Sequence, residues 1–119
     1  MLENRETARK LELMQGTLDM LILRTLVPGA AHGHEIARNI QHTTDDVLQV
    51  EHGSLYPALH RLEGKGWVKA KWEMPKGGKR EFKYYRLTPA GKKQLASAYS
   101  KWSLLVASIG RVMEPSEEG

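Results

Sequence analysis

Pro57 lies inside a stretch that otherwise reads as a helix, and few arrangements accept that combination. In Gly53-Ser54-Leu55-Tyr56-Pro57-Ala58-Leu59-His60-Arg61-Leu62-Glu63, the residues Leu55, Ala58, Leu59 and Leu62 recur at three- and four-residue steps. They share one face, and that face expects burial. Proline lacks a backbone N–H and restricts φ, which the first turn of a helix accepts and its interior resists. The helix is therefore expected to begin close to Gly53, with its free amides and positive dipole end beside Ser54 and Tyr56. Its other face carries Ser54, Pro57, His60 and Arg61. An apolar back and a polar, amide-rich front suit insertion into a groove.

Two helical periods precede this stretch. Residues 1–15 mix charge with Leu11, Leu13 and Met14 and predict a helical lead-in. After Gly16, Leu18, Leu21, Ile22 and Leu26 fall on one helical face, and Pro28-Gly29 ends that helix. Ile36, Ala37 and Ile40 predict a second, short helix with Arg38, Asn39 and Gln41 outward, ending near Thr43-Thr44-Asp45-Asp46. Residues 47–50 fit either an extended bridge or an early turn of the next element. Gly64-Lys65-Gly66 suits the end of the proline-bearing helix.

From Trp67 the period changes. Val68, Ala70 and Trp72 alternate with Lys69, Lys71 and Glu73, the period-two pattern of a half-buried strand. Pro75-Lys76-Gly77-Gly78-Lys79-Arg80 is a turn by composition. A second strand is expected through Lys83-Tyr84-Tyr85-Arg86-Leu87, with Tyr85 and Leu87 inward. The fold class predicted is mainly α with a two-stranded β wing (α+β).

Thr88-Pro89 starts the last helix, a hydroxyl cap followed by proline at the first helical position. Leu95, Tyr99, Trp102, Val106, Ile109 and Met113 then recur at alternating steps of four and three, a heptad seam expected to face a second copy. Leu104 and Leu105 widen it. The predicted organisation is a DNA-binding unit over 1–88, a dimerisation helix over 89–114 and a disordered tail over 115–119.

Charge points to the partner. Between Lys65 and Lys93 stand ten basic residues against Glu73 and Glu81, a local +8 in a chain whose net charge is +4. Interleaved with Trp72, Phe82, Tyr84 and Tyr85, that excess marks a polyanion contact. Helix, helix, helix and basic hairpin is the order of a winged helix-turn-helix, whose third helix enters the major groove of DNA. Ser54, Tyr56, Pro57, His60 and Arg61 are then the groove-facing candidates, and Lys76, Lys79, Arg80 and Lys83 the phosphate contacts. Arg61 has the fork that pairs bidentately with guanine. Tyr56 fits two descriptions, a groove contact or a half-buried ring with its hydroxyl at the surface. The rival function is a winged-helix protein-interaction module without DNA binding, which a basic wing disfavours.

Other classes find little support. The chain has no cysteine, which excludes disulfides and thiolate metal sites and fits a reducing cytoplasm. His32 and His34 are two apart, which is no helical or finger spacing, so neither metal nor cofactor is expected. Ser54 has no argued base partner, and no glycine-rich phosphate loop precedes a helix, so the chain is not expected to be an enzyme. Leu18 to Val27 contains Asp19 and Arg24 and is too short to span a bilayer, so a cytoplasmic location without membrane contact is expected.

The stretch from Gly53 to Leu59 with Leu62-Glu63, then Gly66-Trp67-Val68, then Tyr84-Tyr85-Arg86-Leu87-Thr88-Pro89-Ala90-Gly91, resembles the PadR family of bacterial transcriptional regulators. Gly16-Thr17-Leu18 with Leu21-Ile22-Leu23 is similar to that family's first helix. The resemblance runs from about Leu11 to Met113 and implies a homodimeric repressor bound to a palindromic operator on double-stranded DNA. One helix after the wing implies the compact subgroup, in which a tryptophan of that helix lines an interface pore and stacks on small flat aromatic effectors. Trp102 stands at that position, and a plain seam residue is the simpler account of it. Two departures stand out: His32-Gly33-His34 replaces the family's tyrosine-glycine-tyrosine, and Glu81-Phe82 lengthens the wing.

Overall fold

A computed structural model describes residues 15–114. The expected lead-in lies outside the described residues except for Gln15, and the expected tail at 115–119 lies outside them entirely. The elements are α1 (Gln15–Thr25), β1 (Ala31–His32), α2 (Gly33–Thr43), α3 (His52–Gly64), β2 (Val68–Glu73), β3 (Phe82–Leu87) and α4 (Pro89–Met113). No helix among these residues is long and apolar enough to cross a membrane.

The core forms where the apolar faces of α1, α2 and α3 meet the root of the hairpin. Ile22, Leu23, Ile36, Leu55, Leu59, Leu62 and Val68 are its largest fully buried side chains. Each contributes roughly 1.5–3 kcal/mol by leaving water. The face expected of α3 is the one that is buried.

Pro57 is placed differently from the expectation. Glu51 stands at the N-cap position of α3 without a side-chain capping bond and His52 opens the helix, so Pro57 is its sixth residue, inside the helix. Its missing N–H leaves the Gly53 carbonyl without the usual bond four residues on. Both residues are exposed, so water can reach that carbonyl. The connection from α2 is tight. Thr44 Oγ1 donates to the Ile40 carbonyl at 2.9 Å and accepts from the Leu48 amide at 3.1 Å. Asp45 and Asp46 follow at φ 50° and 64°, the left-handed region that aspartate enters more readily than most residues.

The sheet has three strands in the order β1-β3-β2, not two. Ala31 pairs with Tyr85 and His32 with Tyr84, so β1 covers one edge of the hairpin. A strand of two residues shows no period in sequence, and its pairing depends on partners 54 and 52 positions later. On β2 the alternation also fades: Val68 is buried, Ala70 half-buried and Trp72 61% exposed. The hairpin rises off the body, so no core lies beneath its outer half. Phe82 pairs with Glu73, so of the two extra wing residues Phe82 lengthens β3 while Glu81 stays in the connection.

Thr88 fastens α4 to this frame. Its Oγ1 accepts from the Gly91 amide at 3.0 Å and donates to the Gly66 carbonyl at 2.7 Å. Gly91 is the only buried residue of the helix. Leu95 packs against the protomer's own core, which removes it from the expected intersubunit seam. Beyond it α4 leaves the body, and the molecule reaches 61 Å along its longest axis.

Candidate nucleic-acid interface

Outside its buried face, α3 divides its side chains three ways. Ser54, Pro57 and His60 are exposed on the outer surface. On one flank Arg61 Nη2 meets Asp19 Oδ1 of α1 at 2.9 Å. On the other, Glu63 Oε1 accepts from Lys83 Nζ of β3 at 3.2 Å.

These pairs engage two of the expected DNA contacts, Arg61 and Lys83. Arg61 has the right chemistry for guanine, but its guanidinium is tied to a carboxylate that is 16% exposed. It ties α3 to α1. Lys83 bridges α3 to the sheet, and the bond to Glu63 raises its pKa above the usual lysine range. The ammonium therefore stays charged at neutral pH, and losing the bond would take alkali above that range. Both cations are paired in this arrangement, with about a third of each side chain still exposed.

The wing retains unspent charge. Among the described residues, Lys76, Lys79 and Arg80 make no ion pair and are exposed. Arg86, which also contributed to the basic excess, is paired with Glu73 at 2.8 Å.

Between α3, β1 and the wing runs a cleft of about 900 Å³. Tyr56 and His60 line it from the helix, and Arg80 and Lys83 from the hairpin. Tyr56 is 46% exposed, and its ring lies over Gly33, where an added Cβ would stand 2.8 Å from Tyr Cε1. The Tyr56 ring packs on a glycine and also lines the cleft. Ser54, Pro57, Lys76 and Lys79 do not line it. They lie along the exposed helix face and the wing tip.

His32 and His34, which the sequence reading did not place here, also line the cleft, together with Phe82 and Trp72 of the wing's aromatic set. The His32 ring stacks on Phe82 at 4.7 Å between centroids, and the Arg80 guanidinium lies 4.9 Å from the Phe82 centroid. The two departures from the family pattern thus touch one another. Both were visible in the sequence; their contact was not. Among the described residues no group of three histidine, aspartate or glutamate side chains is arranged to hold a metal ion.

Three helices joined through a tight turn, with an antiparallel hairpin packed on the third, define a winged helix-turn-helix. Residues 22–97 match the model of the transcriptional regulator PadR-like family. A transcriptional regulator from Clostridium thermocellum is similar in structure, with TM-score 0.74, 32% identity, and coverage of 82% of this chain and 93% of its own. A PadR family transcriptional regulator from Eggerthella lenta gives TM-score 0.72 and 31% identity over 89% of both chains. An uncharacterized protein of Lysinibacillus sphaericus is 34% identical over 107 residues, 89% of this chain and 96% of its own. The chain belongs to the PadR-like family of transcriptional regulators.

Proposed function

We propose that the chain acts as a homodimer that binds a palindromic operator and represses its own or neighbouring genes. The observation that carries this reading is that Tyr56 and His60 of α3 and Arg80 of the wing face one cleft. A helix in the major groove would then bring the flanking phosphate backbone against the wing. Ser54, Tyr56, Pro57 and His60 form the groove-facing surface, and Lys76, Lys79 and Arg80 supply sequence-independent affinity. Arg61 and Lys83 serve indirectly by holding the helix at its angle.

A gel-shift or anisotropy titration against DNA from upstream of the encoding gene tests this. Lys79→Ala and Arg80→Ala are each expected to lower the slope of log K against log salt by roughly one, the signature of a lost phosphate contact. Salt-insensitive binding, or binding unchanged in both variants, would refute the assignment.

The exposed stripe of α4 supports the dimer. Tyr99, Trp102, Val106, Ile109 and Met113 are between 39% and 71% exposed, and Leu104, Leu105 and Val112 extend the patch. A run of large apolar groups left in water is costly unless covered, and a self-complementary helix face is covered most simply by its twin. Trp102 stacks with Tyr99 at 6.0 Å and is the surface a flat aromatic effector would meet. Planar cationic aromatics should quench tryptophan fluorescence, and Trp102→Ala should abolish the response. A response that persists in that variant would assign it to Trp67 or Trp72.

A further inference from the structure

Four of the chain's five histidines gather at the cleft, although they come from three separate elements. His32, His34 and His60 line it. His52 adjoins it, edge-on to His34 at 6.5 Å and to Tyr56 at 5.6 Å between centroids. They divide into one that is committed and three that are not. Nδ1 of His32 accepts from the Glu35 amide at 3.4 Å, and the Glu35 carboxylate accepts from the His32 amide at 3.1 Å. A protonated Nδ1 cannot accept, so His32 serves α2 as a cap. His34, His52 and His60 are exposed and make no hydrogen bond or ion pair through their rings among the described residues.

We propose that His34, His52 and His60 contact the phosphate backbone of bound DNA as imidazolium ions, making operator affinity proton-dependent. This rests on the reading of the chain as a DNA-binding regulator and adds a second set of backbone contacts to the wing lysines. Wing and helix both face the cleft, so a backbone strand laid against Arg80 passes the imidazoles as well.

The other charged groups around them do not supply the same response. Glu63 is bonded to Lys83 across the cleft. Glu81 and Arg80 stand on the wing side, Glu51 precedes His52 in the chain, and Glu35 is held by His32. The remaining neighbours with protons to lose are Tyr56, Tyr84 and Tyr85, and burial pushes the Tyr85 hydroxyl up further. As classes, carboxylates ordinarily titrate well below neutrality and phenols, amines and guanidines well above it, whereas imidazole changes charge between about pH 5 and 8.

The sign follows from the phosphate. An adjacent anion favours the charged form of an imidazole, so forming the complex takes up protons. The added affinity is therefore greatest toward the acid end of the range in which imidazoles change charge and is lost toward its alkaline end.

The test uses the full chain and a random-sequence duplex of roughly 30 base pairs, long enough for two half-sites one helical turn apart. Affinity is measured at about pH 8 and about pH 6, across a salt series, for the natural chain and a His34→Gln, His52→Gln, His60→Gln variant. The natural chain should bind at least about tenfold more tightly at the lower pH, with a salt slope steeper by roughly one per histidine engaged. In the variant the ratio of affinities should fall to within about twofold. Binding that stays flat with pH while Lys79→Ala still weakens it would overturn the histidine contacts and leave DNA binding intact. An equal pH response in the variant would overturn them too, and a duplex unbound at any pH would overturn both readings. Thermal melts of chain and variant at both pH values separate lost contacts from lost fold.

Discussion

Replacing Gly91 with alanine should cost more than about 3 kcal/mol, enough to threaten a domain of ordinary stability. An added Cβ would stand 2.0 Å from the Trp67 carbonyl oxygen, 3.0 Å from its carbon and 2.8 Å from Leu87 Cδ1. A flexible side chain could yield, but the main obstacle here is backbone. The Trp67 carbonyl accepts from the Thr88 amide at 3.1 Å, and Thr88 Oγ1 holds the preceding carbonyl at Gly66. Gly66 itself is at φ +74°, a turn that is awkward for other residues to re-form. The strain therefore falls on the joint that sets α4 against the wing, and stability depends on it. Gly110→Ala is the control on the same helix. Nothing lies within 4 Å of its added Cβ, so helix propensity alone should stabilise it by up to about 1 kcal/mol. Urea denaturation of both variants decides the matter. A Gly91→Ala chain as stable as the natural one would refute the close-packed joint.

The second large effect belongs to the stripe of α4. Val106→Glu combined with Ile109→Glu should convert a dimer into a monomer and weaken operator binding by about 10²–10⁴-fold, since two tethered half-site contacts become one. Both residues are nearly half exposed in the single chain and far along α4 from the core. Glutamate is also a good helix former, so the protomer's own fold should survive. Apposed carboxylates in a desolvated seam would not be tolerated. Light scattering gives the mass and anisotropy the affinity. A double variant that remains dimeric with undiminished operator binding would show that the stripe is not where two copies meet.

The difference between Leu95 and Val106 marks where sequence reading succeeds and stops. Both lie on one heptad seam, and the periodicity treats them alike. Leu95 faces the protomer's own core because the first turns of α4 are pinned by Thr88 and Gly91. Val106 has passed beyond the body. Periodicity says which side chains share a face, but what that face meets depends on where the helix is attached.

Arg61 makes the same point for charge. Its place among polar neighbours on α3 suggested a free guanidinium, and Asp19 stands 42 residues away in sequence. Lys83 and Glu63 are 20 apart. Ion pairs at such distances leave no local period, so the sequence does not show which cations are already paired. The wing tip was legible because three of its cations, Lys76, Lys79 and Arg80, sit in a turn rich in glycine and proline, where pairing is rare.

What the sequence determined alone was everything written at short range. The buried face of α3, the cap at Thr88-Pro89 and the family motifs around them depend on residues a few positions apart, and backbone geometry alone decides which of those meet. The proline of α3 belongs partly to this group, since its helix was foreseen and its depth within it was not. The tertiary structure alone decided which cations are spent and which remain, and that β1 adds a third strand. It also brought His32 against Phe82, 50 positions apart, at the mouth of the cleft. Those outcomes depend on how whole elements are docked, and docking is settled by the burial of the shared core, not by any one segment of the chain.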